Sequence, residues 1–160
     1  MVDMKWLHNF LFPHYVNTPI VSIVILVLRL LFGLLLMTHG FYKLEHFETV
    51  VQTFPSFLGL GSKFSLILVL FAELVCAMSF VIGFLFRPTL LPIIITMLVA
   101  FLWVHHASII DGELSFIYLS IYVLLFITGP GLYSIDAPLG RYLAHNGDKK
   151  DESSAGEIVQ

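Results

Sequence analysis

Charged side chains are scarce in this sequence. Asp, Glu, Lys and Arg make up 12% of its 160 residues, while 58% are hydrophobic. Soluble domains carry about 25% charged residues, and the segment 20–130 has no polar stretch long enough to cover a soluble surface. A mean hydropathy of +0.93 agrees. The scarcity of charge excludes a water-soluble domain and predicts an integral membrane protein.

Cysteine is nearly absent as well. The single Cys76 lies in an apolar run, so the chain has neither an internal disulfide nor a CxxC redox pair. Redox chemistry would therefore require a bound cofactor or a partner. A catalytic triad, a phosphate loop, zinc-type spacing, a CxxCH haem motif and a basic patch for nucleic acid are also missing. We expect no metal, no haem and no nucleic-acid partner, and no catalytic residue is assigned.

The apolar sequence divides into four stretches that could cross a membrane, since about 20 helical residues span the hydrocarbon core. They cover residues 19–44, 62–86, 88–109 and 114–128. Thr18 and Pro19 suit the start of the first helix, and Gly129-Pro130-Gly131 ends the last. We predict an all-α integral membrane four-helix bundle over residues 19–142. An interfacial lead, 1–18, precedes it, and a disordered polar tail, 143–160, follows it.

The distribution of basic residues predicts an orientation in the membrane. Four crossings place both termini on one side, together with Lys5, Arg87, Arg141, Lys149 and Lys150, whereas the opposite side holds Lys43 and Lys63. Because an excess of Lys and Arg marks the cytoplasmic side, both termini should be cytoplasmic in a multi-pass protein of the inner (plasma) membrane.

Two residues of opposite charge interrupt the apolar spans. Arg29 and Glu73 each lie about 15 Å from a helix end at 1.5 Å per residue, so both are predicted near the bilayer midplane. Ionisable groups at this depth are expensive, which makes them functional candidates. We predict an Arg29–Glu73 ion pair, which either sets the register of the first two helices or lines a ligand or proton site.

Further polar residues collect at the outer ends of the predicted helices: His39, Lys43, His105, His106, Asp111 and Glu113. Helical phase places Arg29, Gly33, Gly40 and Lys43 on one inward line, with His39 at its margin. The histidines suit interfacial hydrogen bonding, quinone binding or proton transfer, and these alternatives stay open, whereas the missing motifs disfavour metal or haem ligation. Phase slightly favours His106 over His105 as the inward residue. Glu113 fits equally well as an acid at a helix N-terminus.

The ordered set of short motifs resembles the DoxX family of small four-helix bacterial membrane proteins. The motifs are Arg29-Leu-Leu-Phe-Gly33, His39-Gly40-Phe-Tyr-Lys43, Ala72-Glu73-Leu, Ile82-Gly83, Val99-Ala100-Phe-Leu-Trp-Val-His105, Glu113 and Gly129-Pro130-Gly131 through Asp136. The resemblance spans about residues 25–140. It implies a shared polar constellation of Arg29, His39, Lys43, Glu73, His105 and Glu113, and it favours His105 over His106.

The family resemblance implies an oxidoreductase system linked to quinone. We expect a membrane component of such a system, with a quinone held by the polar constellation in the outer half of the bundle. Whether the chain is itself an enzyme stays open. The alternative is a non-enzymatic anchor or assembly partner for a peripheral redox enzyme. A redox partner protein and a homodimer are both compatible with the sequence.

Overall fold

A computed structural model describes residues 18–57 and 59–142. These residues form helices and loops, with no strand among them. The helices are α1 (Pro19–Glu45), α2 (Phe47–Thr53), α3 (Ser62–Ile82), α4 (Phe86–Val104), α5 (Glu113–Thr128) and α6 (136–142). The predicted interfacial lead, apart from Thr18, and the predicted disordered tail lie outside the described residues.

Three of these helices, α1, α3 and α4, are long and apolar enough to cross a membrane. Helix α5 is also apolar but has 16 residues. Helix α1 begins as predicted, because the Thr18 hydroxyl accepts from Val21 N at 3.4 Å and Pro19 occupies the first helical position. Helix α5 ends at Thr128 because Gly129 adopts a φ of 85°.

The turn between α3 and α4 comes earlier than predicted. The predicted spans 62–86 and 88–109 place the turn at Arg87, but α3 ends at Ile82, where Gly83 adopts a left-handed conformation with φ of 70°. Pro88 instead lies in the first turn of α4, where a missing N–H breaks no helical hydrogen bond. Helix α4 also ends early, at Val104 rather than residue 109.

Two glycines set the register between α1 and α3. A Cβ on Gly40 would lie 2.8 Å from Leu74 Cδ2 and 3.1 Å from Glu73 Cβ, and a Cβ on Gly33 would collide with Val81. Gly33 and Gly40 are seven residues apart, and the α3 residues they contact are seven apart in the opposite direction. The helices are therefore antiparallel and closely packed, and the predicted inward stripe on α1 is confirmed.

Tyrosines of α5 close the other side of α1. The Tyr122 hydroxyl donates to the backbone carbonyl of Phe32 at 3.0 Å, and the Tyr118 ring meets the Phe32 ring edge-on at 5.5 Å between centroids. Tyr122 is fully buried and also packs edge-on against Phe80 of α3. The core between α1, α3, α4 and α5 thus combines these aromatic rings with aliphatic side chains such as Leu36 and Leu90.

The predicted Arg29–Glu73 ion pair is wrong. The buried Arg29 guanidinium donates instead to four backbone carbonyls: Phe80 at 3.1 Å, Val81 at 2.8 Å, Pro130 at 3.0 Å and Tyr133 at 3.0 Å. The predicted depths of Arg29 and Glu73 were each counted from the end of their own helix, which does not give the relative height of the two helices. The glycine register places Arg29 opposite the C-terminal end of α3, whereas Glu73 lies at least seven residues earlier in that helix.

Asp136 lies beside the α3–α4 turn, at the same end of the helices as Arg29. Its carboxylate oxygens accept from the backbone N–H groups of Leu85 at 2.9 Å and Phe86 at 2.8 Å, which caps α4. Burial raises the pKa of Asp136, against the lowering effect of these two bonds and of the Arg29 charge. Arg29 and Asp136 therefore tie the segment after α5 to the α3–α4 turn.

Candidate functional site

A second polar cluster lies at the other end of α1. The Lys43 ammonium donates to Glu73 Oε1, forming an ion pair between α1 and α3. Lys43 lies 14 residues after Arg29, which is about 21 Å along a helix. The Glu73 side chain is 3% exposed and that of Lys43 is 27% exposed. The pair is thus buried on the carboxylate side and partly open on the ammonium side.

The ion pair lines a cavity of about 390 Å³. Its walls come from α1, α3, α4 and α5, and the segment 54–57 contributes a further wall. The polar or aromatic lining residues are His39, Lys43, Ser56, Phe54, Phe57, Ser65, Glu73, Thr96, Trp103, His105, Ser115 and Tyr118. Aliphatic side chains make up most of the remainder. The arrangement is that of a small-molecule site, which is mostly apolar with a few polar groups.

Both π-helical segments of the described chain border this cavity. The first, Phe71–Cys76, contains Glu73, and the second, Ala100–Val104, supplies three lining residues. A π-helical turn inserts an extra residue into a helix and is found frequently at functional sites. Here the irregular turns lie where α3 and α4 present polar and aromatic side chains to the cavity.

Only one of the two carboxylate oxygens of Glu73 has a hydrogen-bond partner in the described structure. Oε1 accepts from Lys43, but Oε2 is buried and has no hydrogen-bond partner within the described structure. An unpaired buried acceptor of this kind costs about 1–3 kcal/mol, and more when it is charged. The orphan oxygen therefore marks a place where a donor from a ligand or water would be stabilised.

Aromatic contacts hold the cavity walls in place. Phe57 packs edge-on against Trp103 at 5.6 Å, which joins the segment after α2 to α4. His39 packs edge-on against Tyr118 at 6.2 Å, which joins α1 to α5. Ser65 accepts from Phe57 N at 3.0 Å and donates to Gly61 O at 2.9 Å. The loop between α1 and α3 thus packs on the bundle.

The DoxX family model matches residues 24–106. The chain belongs to the DoxX family. The matched region contains His39, Lys43, Glu73 and His105, all of which line the cavity of this DoxX protein. No curated protein and no solved structure matches the chain.

The predicted site residues divide into two groups in this DoxX protein. The structure brings His39, Lys43, Glu73 and His105 to one cavity, and His105 rather than His106 is the lining histidine. Arg29 lies in the other polar cluster, and Glu113 is exposed at the first position of α5 and does not line the cavity, although the next two residues do. The predicted six-residue constellation is therefore split.

Sequence reasoning missed several lining residues. Tyr118 and Trp103 carry polar groups on apolar helices, and buried residues of these types usually find a hydrogen-bond partner. The need of a buried tyrosine hydroxyl for a hydrogen-bond partner could have identified Tyr118 as a candidate site residue. Phe54 and Phe57 gave no comparable signal, because nothing local shows that their loop folds back over α3 and α4. Among the described residues, no group of three His, Cys, Asp or Glu could hold a metal ion.

Proposed function

We propose that this DoxX protein is a membrane component of a quinone-linked oxidoreductase system and that the cavity holds the quinone head group. The observation that carries the proposal is the Lys43–Glu73 pair, with its buried carboxylate, in the wall of a mostly apolar cavity. An ion pair in an apolar site is costly unless it also serves a ligand or sets a unique packing. Family membership supports the same reading.

The cavity fits a quinone head in size and chemistry. Its volume of about 390 Å³ lies within the range of small-molecule pockets. Phe57 and Trp103 offer ring surfaces for a flat ligand. Lys43 and the imidazoles of His39 and His105 can donate to carbonyl oxygens, while Glu73 Oε2 can accept from a hydroxyl. Donors and acceptors are thus available for both redox forms.

When bound, a quinone would supply the capacity to take up electrons together with protons. The residues of the chain would bind and orient it and keep water out. The Lys43 ammonium would stabilise negative charge on a ligand oxygen, since preorganised donors in a dry site act strongly. Glu73, held by Lys43, would accept or return a proton at Oε2. His39 has an exposed side and lines the cavity, so it would connect the site with the outer surface.

The proposed setting is the inner (plasma) membrane, crossed four times, with both termini in the cytoplasm and the cavity in the outer half. Helix α5 packs against α4 and α1, and its 16 residues reach about 24 Å, so the bilayer would thin around it. A partner protein would supply the electrons, because the single cysteine cannot form a redox-active thiol pair. A homodimer is compatible with this arrangement.

Titration of the purified protein with a short-chain quinone tests the proposal. We expect saturable binding by the wild type and binding at least tenfold weaker for His39→Ala and Lys43→Ala. His46→Ala and Lys63→Ala are matched controls, because both side chains are exposed and neither lines the cavity. Absence of binding by the folded wild type would contradict the proposal. Copurification of a peripheral enzyme with such a protein would then favour the anchor alternative.

A further inference from the structure

The two oxygens of Glu73 have different surroundings. Oε1 receives the Lys43 ammonium, and Oε2 has no donor although the residue is 2% exposed. An ammonium in direct contact matches a carboxylate rather than a carboxylic acid. The group at the cavity wall is therefore a charged acceptor with one side unsatisfied.

The surrounding side chains do not supply the missing donor. His39, Trp103, His105 and Tyr118 all line the same cavity and carry donor groups, yet in the described part of the chain none of them bonds to Oε2. Three of these residues pack against other rings: Trp103 lies against Phe57, Tyr118 against Phe32, and His39 against Tyr118. Oε2 is buried but Glu73 lines the cavity, so a donor that enters the cavity and turns the carboxylate towards it would satisfy Oε2.

We propose that the ligand of this cavity donates a hydroxyl hydrogen bond to Glu73 Oε2, so that a hydroquinone binds more tightly than the corresponding quinone. This inference rests on the proposed function and makes it more specific, because a quinone carbonyl is an acceptor and would face the carboxylate oxygen unfavourably. The rest of the ring occupies the apolar walls in either redox form. Discrimination between the two forms therefore comes from the ligand oxygen nearest Glu73.

The size of the preference follows from the type of hydrogen bond. A bond to a charged buried acceptor is among the stronger ones in proteins, and the oxidised form would leave that acceptor unpaired. We expect the hydroquinone to bind at least tenfold more tightly. For a two-electron couple, each factor of ten raises the midpoint potential of the bound couple by about 30 mV.

A series of ligands that differ only in donor count tests the inference on the wild-type protein. The probes are hydroquinone, 4-methoxyphenol and 1,4-dimethoxybenzene, with 1,4-benzoquinone as the oxidised form, all titrated into the full chain in detergent. We expect the affinity to fall at least tenfold between 4-methoxyphenol and 1,4-dimethoxybenzene, where the last hydroxyl is lost. We expect the quinone to bind at least tenfold more weakly than hydroquinone.

The variant Glu73→Gln provides a second measurement. Its amide offers a donor where the carboxylate offered an acceptor, so the ratio of hydroquinone to quinone affinity should fall at least tenfold. Melting temperature in the same detergent identifies a variant that has failed to fold, and the wild-type series tests the inference without it. Lys63→Gln, at an exposed position away from the cavity, should leave the ratio unchanged.

The outcomes separate the two proposals. If quinone and hydroquinone bind equally, or quinone binds more tightly, the donor inference is wrong while the quinone proposal stands. Equal binding of 4-methoxyphenol and 1,4-dimethoxybenzene would likewise refute the inference, because water would then satisfy Oε2. If no member of the series binds to the folded wild type, the proposed function fails and the inference fails with it.

Discussion

Lys43 of α1 donates to Glu73 of α3, and this ion pair joins the two helices where they line the cavity. The pair is possible because Gly40, one turn before Lys43, brings the α1 backbone against Glu73. Close helix packing and the polar site are therefore one structural feature.

Lys43→Met should lower the free energy of unfolding by about 3 kcal/mol, because it leaves the Glu73 carboxylate buried without its countercharge. Methionine keeps the length of the side chain, so packing changes little. Reversible unfolding in detergent micelles measures the effect. In the double variant with Glu73→Gln, the carboxylate is gone, and the loss should be smaller than the sum of the two single losses.

Lys63→Met is the matched control for this cycle, since Lys63 is exposed and should tolerate the change within about 0.5 kcal/mol. Additive losses in the double variant would show that Lys43 and Glu73 do not interact.

Arg29→Lys should destabilise the protein by about 3 kcal/mol although it preserves the charge. The planar guanidinium donates to four carbonyls from the end of α3 and from the segment after α5, and a shorter ammonium cannot reach all of them. The buried carbonyls left unpaired account for the loss. Melting temperature and unfolding free energy measure it.

Arg141→Lys makes the same chemical change at an exposed arginine, which donates to the nearby Ala137 carbonyl at 3.3 Å. It should be nearly neutral. An equally small effect at Arg29 would mean that its carbonyl contacts contribute little to stability.

Asp136 should make stability depend on pH. Burial raises its pKa in the folded protein, whereas the unfolded value is about 3.9. From about pH 4 upward the folded state thus holds more protons than the unfolded state, and the free energy of unfolding falls as pH rises. Asp136→Asn removes this titration. The wild type should therefore lose stability relative to the variant as pH rises above about 4.

Unfolding free energies of both proteins at matched pH values check this sign. A difference that stays constant, or that grows in favour of the wild type as pH rises, would contradict it.

The sequence predicts the four longest helices because hydrophobic runs are local, although α3 and α4 end earlier than predicted and the short helices α2 and α6 were not predicted. Thr18, Pro19 and Gly129 mark ends where expected, and Gly33 and Gly40 identify the inward face of α1. The partner of Glu73 was not predictable in the same way. It depends on the relative height of α1 and α3, which residue counting from each helix end does not determine.

The same limit applies to the site. His39, Lys43, Glu73 and His105 stand out as polar residues on apolar helices, and the cavity contains all four. Phe54 and Phe57 reach it only through the path of the loop after α2. Asp136 caps α4 from 50 residues further along the chain, so its role follows from tertiary structure alone.

Gly40→Ala should weaken both packing and ligand binding. The added Cβ would lie 2.8 Å from Leu74 Cδ2 and 3.1 Å from Glu73 Cβ, so α1 and α3 must separate by a few tenths of an ångström. Overpacking of this kind costs about 1–3 kcal/mol, and separation also lengthens the Lys43–Glu73 contact.

Leu34→Ala, at an exposed position on α1, is the control for an alanine on this helix. Unfolding free energy and quinone titration should both show a loss for Gly40→Ala and none in binding for Leu34→Ala. Wild-type affinity in a destabilised Gly40→Ala protein would mean that close helix packing and the site are independent.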